Sequence, residues 1–177
     1  AMIIVPSRNV VLFPGVVFPL TIGRPGSSAA AQEALRAERP IGVLLQRQPE
    51  IHTPGPENLH WVGTVANIMR YVTTEDGVHH MVCQGTQRFR VLQFLEGYPF
   101  LVARIAPVET PDAGGPEIEA RMLNLKARAA ETFQLLPQAP AELVAAVQAM
   151  NSANQLADMV ASFADVRVAE KQEVLET

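Results

Sequence analysis

The chain has 177 residues, enough for one substantial core or for a core with a smaller appended unit. Hydrophobic residues make up 48% and charged residues 18%, a globular balance that excludes an intrinsically disordered chain. A net charge of -4 gives no electrostatic reason to expect nucleic acid or an anionic membrane as partner, and a single cysteine, Cys83, excludes an intrachain disulfide.

Ile3 to Val5 is a short β-prone run ended by Pro6. It leads into the stretch around which the chain is organised, Arg8 to Leu20. There, two apolar runs with the composition of buried strand, Val10 to Phe13 and Val16 to Leu20, are separated by the turn pair Pro14-Gly15. Pro19 lies inside the second run and cannot donate to a ladder, which assigns that run to an edge or a bulge. Gly23 to Gly26 breaks the chain. Ser27-Ser28 then supply a cap for an alanine-rich helix over 29–38 whose face of small residues suits packing on a sheet.

Ile41 to Leu45 reads as a central strand, continuous in apolar content. The proline-rich stretch from Pro49 to Asn58 is a loop. From Trp61 to Phe94 the pattern is a long hairpin turning at Glu75-Asp76-Gly77, with Gly85 marking a bulge or corner in the return strand. A last strand runs over 100–105. Five or six strands with one helix, joined by bends, point to a small closed or nearly closed barrel.

Pro, Asp and Gly dominate 109–116, and beyond them the apolar period lengthens from two to about 3.6. Ile118, Met122, Leu125, Ala129, Phe133 and Leu136 share one face of a helix interrupted at Pro137. Leu143, Val147 and Met150 make a second face, and Leu156, Val160 and Phe163 a third, capped by Asn151 or Ser152. A fourth helix begins at Val168 and meets no glycine or proline stop, which suggests that further chain follows. The expected organisation is α+β: a barrel domain over 1–108, a linker over 109–116 and a helical subdomain over 117–177.

Several stretches carry a family likeness in order and spacing. They are Arg8-Asn9-Val10-Val11-Leu12-Phe13-Pro14-Gly15, Pro19-Leu20 with Gly23-Arg24, Pro49-Glu50, Val62-Gly63-Thr64-Val65-Ala66 and Gly85-Thr86-Gln87-Arg88. Together they resemble the N-terminal domain of Lon proteases. Leu156 to Ser162 and Glu170 to Glu176 resemble the helical segment that precedes the ATPase module of the same family. The chain departs from the family at Ser7-Arg8-Asn9, where Leu-Arg-Asp is common, so one apolar anchor and one acid are missing. The resemblance implies a PUA-like β pseudobarrel with one surface helix, followed by an α-helical bundle subdomain leading to the ATPase ring of a homohexamer.

Catalytic chemistry is not expected of this region. Among 14 basic residues only Lys126 and Lys171 are lysines, and neither stands in the glycine-rich setting of a phosphate-binding loop or beside a serine in the desolvated setting of a Ser-Lys dyad. His79 and His80 are adjacent on a strand and point to opposite faces, and His52 and His60 have no metal-ligand spacing. No catalytic, cofactor-binding or metal-ligating residue is therefore expected in this region. For the parent protein the resemblance implies an ATP-dependent serine endopeptidase using ATP and Mg, and the absence of a secretion signal implies a cytoplasmic location.

The role the resemblance implies is that of the substrate-recognition and assembly-supporting region of a protease that degrades misfolded, damaged and regulatory proteins, and such capture suits adaptable apolar side chains. The candidates are Phe18, Met69, Tyr71 and Met81, with strand facing left open because register is not readable from sequence. Two other classes are carried: a stand-alone Lon-domain adaptor without ATPase or protease modules, which the helical tail disfavours, and an RNA-binding PUA-like domain, which the acidic balance disfavours.

Overall fold

A computed structural model describes residues 1–112, 114–135 and 141–177. The expected helix break at Leu136-Pro137 lies outside the described residues. The chain divides into two compact units, one formed by Ala1–Glu109 together with Asp165–Thr177 and the other by Thr110–Ala164.

In the first unit, β1 (Met2–Ser7), β2 (Val17–Ile22), β3 (Ile41–Leu45), β4 (Val62–Thr73), β5 (His79–Leu95) and β6 (Val102–Pro107) lie in the order β2-β5-β4-β3-β1-β6. An additional pairing of β5 with β6 closes the ring. Closure is possible because β5 is long enough, at 17 residues, to pair with β2 and β4 along its first half and with β4 and β6 along its second. Among the described residues only β1 and β3 run parallel. Ile41–Leu45 is buried at every position, as its continuous apolar content requires.

The first helix, α1 (Pro25–Arg36), starts two residues ahead of the expected serine cap. Arg24 is its N-cap, without a side-chain cap bond, and Pro25 occupies the first helical position, where its fixed φ suits a helix and its missing N–H costs nothing. Ala30, Ala31 and Ala34 are fully buried against the sheet. They pack in one cluster with Ile3, Val5, Leu20, Ile22, Met81 and Cys83. A second cluster around Phe89, Ile4, Leu44 and Leu59 fills the other side of the barrel.

The organising stretch differs from expectation in one respect. Val11, Leu12 and Phe13 are buried, yet Val10–Phe13 belongs to no strand. It crosses the sheet instead, tied by Thr64 Oγ1 donating to the Leu12 carbonyl at 2.6 Å and by reciprocal bonds of 2.9 Å, Gly15 N to Gly85 O and Gly85 N to Val16 O. These bonds satisfy backbone groups that would otherwise be buried unpaired. After the turn the chain enters β2, which pairs on one side only, so Pro19 sits on an edge as its missing donor demands.

In the second unit, α2 (Pro116–Leu135), α3 (Ala141–Ala149) and α4 (Ala153–Phe163) surround Ala129, Phe133, Val147 and Leu156. Ser152 caps α4 by accepting from Gln155 N at 3.3 Å. Phe163, expected on the buried face, is exposed.

The helical subdomain expected over 117–177 loses its last element to the barrel. The final helix, α5 (Val168–Glu176), belongs to the first unit, where Leu175 and Gln172 are buried. Gln172 Nε2 donates to the Val62 carbonyl at 3.0 Å, and Arg88 Nε donates to the Leu175 carbonyl at 2.9 Å. A guanidinium on the last carbonyls of a helix satisfies an orphan acceptor and opposes the negative end of the helix dipole.

The same helix end carries a titratable contact. His60 Nδ1 lies 3.4 Å from Glu176 Oε1. Burial first, then the charge of Arg47, depress the His60 pKa below its ordinary value, and Glu176 only partly offsets them. With the folded pKa below the unfolded one, the unfolded chain takes up the extra proton, so this contribution to stability is present above the unfolded value of about 6.5 and is lost as pH falls from there through the lower folded value. Thermal melts between about pH 7.5 and 5.5 should therefore show a falling Tm, with a shallower slope in His60→Asn.

Candidate functional site

Strands β2, β5 and β4 form a three-stranded patch whose registers determine which side chains face solvent. Phe18 pairs with Cys83, which pairs with Ile68; Leu20 pairs with Met81, which pairs with Tyr71. These rows face the core. The alternating rows face outward: Val17 with Gln84 and Asn67, Pro19 with Val82 and Arg70, Thr21 with His80 and Val72.

Three large apolar side chains on this outer face are exposed, Val17 at 54%, Met69 at 60% and Val72 at 40%. Pro19 is also exposed, and Val82 half-buried between its neighbours. Met69 projects because it is the extra residue of a β-bulge: Ile68 pairs with Cys83 and Arg70 with Val82, leaving Met69 without a ladder partner. Neighbouring strands are about 4.8 Å apart, so Pro19, Val82 and the bulged Met69 make an apolar row across β2, β5 and β4, with Val17 and Val72 in the rows on either side. Arg70 and His80 punctuate this face, the latter with Nδ1 3.3 Å from Thr21 Oγ1.

The four sequence candidates divide accordingly. Met69 is on the surface. Phe18 and Tyr71 are half-buried and pack against the core, Tyr71 with its hydroxyl 3.3 Å from Ser28 Oγ and its ring stacked on His79 at 5.5 Å. Met81 has no exposure at all and belongs to the core cluster, so it is withdrawn as a contact residue. Its register partner Leu20 and the alanine face of α1 share that cluster, leaving no path to solvent. Val17, Pro19 and Val72 were missed. Val17 and Pro19 follow from the β2–β5 register and Val72 from the β4–β5 register, neither of which the sequence determines.

The outer face of the patch offers apolar side chains for contact. Burial pushes the Cys83 thiol up to about 12, so no thiolate is available at neutral pH. Among the described residues no group of three His, Cys, Asp or Glu could hold a metal ion, and no helix is long and apolar enough to cross a membrane.

Comparison with known proteins gives three kinds of match. The family described as the ATP-dependent protease La (LON) substrate-binding domain matches residues 1–177. A Lon protease of Methylocella silvestris is 50% identical over 177 residues, and one of Phenylobacterium zucineum 50% identical over 178; each alignment covers 100% of this chain and 22% of the relative. The chain thus spans about a fifth of the length of these curated relatives. Among solved structures, the N-terminal domain of Mycobacterium avium complex Lon protease superposes with a TM-score of 0.79 at 19% identity, covering 99% of this chain and 89% of that one. The Lon N-terminal domain protein from Xanthomonas campestris gives 0.68 at 19% identity with the same coverage. These two likenesses establish the α+β fold.

Proposed function

The chain belongs to the family of Lon protease substrate-binding domains, and from that premise we propose that it captures unfolded or damaged proteins through the outer face of β2, β5 and β4. The observation that carries this reading is the strip of Val17, Pro19, Met69 and Val72, apolar side chains held outward by strand register and by a bulge. An unfolded chain differs from a folded one chiefly in offering apolar side chains and unpaired backbone. An edge strand beside exposed Met and Val can meet both.

The parent protein is read as an ATP-dependent serine endopeptidase working as a homohexamer in the cytoplasm, with ATP and Mg bound by modules beyond this region. The helical unit then leads toward the ATPase ring. That the curated relatives are named Lon proteases favours this over a stand-alone adaptor.

The test is fluorescence anisotropy of one labelled protein, native and chemically unfolded, against this chain and its Met69→Ser/Val72→Ser variant. Selective binding of the unfolded form is expected, weakened about tenfold in the variant, which corresponds to roughly 1.4 kcal/mol. Equal binding of both forms, or an unaffected variant, would remove the sheet face from the function.

A further inference from the structure

Residues of β1, the β2–α1 connection, the loop around 52–56 and the β5–β6 turn line an open cavity of about 820 Å³. Its lining is chemically two-sided. Arg8, Arg24 and His52 stand on one side, His52 Nδ1 3.3 Å from Arg8 Nη2. Phe94 and Phe100 contribute an apolar side, with Tyr98 stacked on Phe100 at a centroid distance of 6.5 Å. Glu96 is the only carboxylate in the lining.

The cationic side is uncompensated. Neither Arg8 nor Arg24 is paired with a carboxylate among the described residues. Arg24 donates from Nη2 to the Ile51 carbonyl at 3.2 Å, but its Nη1 is buried with no acceptor. Burial, and then the charge of Arg8, lower the Arg24 pKa. A buried guanidinium donor without an acceptor is costly, and two like charges at one cavity raise that cost. Arg24 is also the N-cap of α1, a 12-residue helix with no acid in its first turn, so the helix dipole adds positive potential. A smaller cavity of about 360 Å³ also has Arg8, Arg24 and Ser27 in its lining.

We propose that this cavity holds the C-terminal end of a polypeptide, its α-carboxylate on Arg8 and Arg24 and its last apolar side chain against Phe94 and Phe100. The planar carboxylate matches the fork geometry of the two guanidinium groups, which line the cavity without a carboxylate partner. A free inorganic anion would use the arginines and leave the aromatic wall without a role, whereas an apolar chain end uses both. The inference rests on the reading that the chain receives unfolded polypeptide, and adds that one feature it recognises is the chain end rather than internal sequence alone. It concerns a cavity separate from the outer sheet face.

The experiment compares a fluorescein-labelled hexapeptide ending in Phe, as the free acid and as the C-terminal amide, by anisotropy with the 177-residue chain. The free acid should bind at least about tenfold tighter. In Arg8→Gln/Arg24→Gln, with circular dichroism and Tm verifying the fold, the acid should fall to the affinity of the amide while the amide is unchanged. In Met69→Ser/Val72→Ser the acid-to-amide ratio should persist, which separates this site from the sheet face. Equal affinity of acid and amide in the parent chain, a measurement that needs no variant, would overturn the proposal, as would absence of binding to either. Displacement of the acid and amide alike by inorganic phosphate would reassign the cavity to small anions and overturn it too.

Discussion

Gly85→Ala should lower the stability of the barrel by on the order of 3 kcal/mol, through the overpacking of a site that has no room. In a thermal melt this is a fall in Tm of about 10 °C. Gly85 sits where the register of β5 shifts against β4, and a Cβ placed there would meet the Phe13 carbonyl oxygen well inside 3.0 Å, with the Thr64 methyl close behind. Neither obstacle can swing away. The Phe13 backbone is held by the two Gly85 bonds to Gly15 and Val16, and Thr64 is held by its own bond to Leu12. An added methyl must therefore part the crossing segment from the sheet or distort both. Gly26→Ala is the matched control: its position in α1 is open on all sides, and alanine is the better helix former by up to about 1 kcal/mol. A Gly85→Ala melt within about 2 °C of the parent would show that the crossing segment is not pinned at this point.

That contact illustrates what the sequence makes legible and what it does not. Gly85 announces itself because glycine inside a β-rich run needs a reason, and the reason is either a bend or a close backbone approach; here it is both. The alanine face of α1 and the apolar run of β3 are legible for the same cause: side-chain size and period record how each is buried. The docking of α5 is not recorded in that way. Two of its hydrogen bonds run through backbone carbonyls, Val62 accepting from Gln172 and Leu175 accepting from Arg88, and a carbonyl looks the same in every residue. From period alone α5 joins the preceding helices, which is where the sequence reading put it. The cationic cavity was equally hidden, since Arg8, Arg24 and His52 come from three separate connections and meet only when the barrel closes. Within the proposed site, Met69 is singled out by the sequence and lies on the surface, whereas the facing of Val17 and Val72 depends on the β2–β5 and β4–β5 registers, which side-chain pattern alone does not record.

The two methionines of the long hairpin should separate cleanly under the same substitution. Met81→Ser removes a fully buried side chain from the cluster shared with Leu20 and the α1 alanines. Losing those contacts and leaving a cavity costs about 2–5 kcal/mol for such a truncation. The serine hydroxyl adds to that cost unless it finds a partner in an apolar setting. Met69→Ser exchanges a side chain that is 60% exposed and has no ladder partner, so its effect on stability should lie within about 0.5 kcal/mol. Urea unfolding of the two single variants measures this directly, as a large drop in midpoint for one and almost none for the other. The order matters for function, because a double substitution of Met69 and Met81 would lose binding through unfolding and mimic loss of a contact surface. If Met81→Ser instead kept the parent midpoint while weakening capture of an unfolded protein, the inward-facing row of β5 would have to open toward solvent. The outer strip of Val17, Met69 and Val72 would then not be the face that engages substrate.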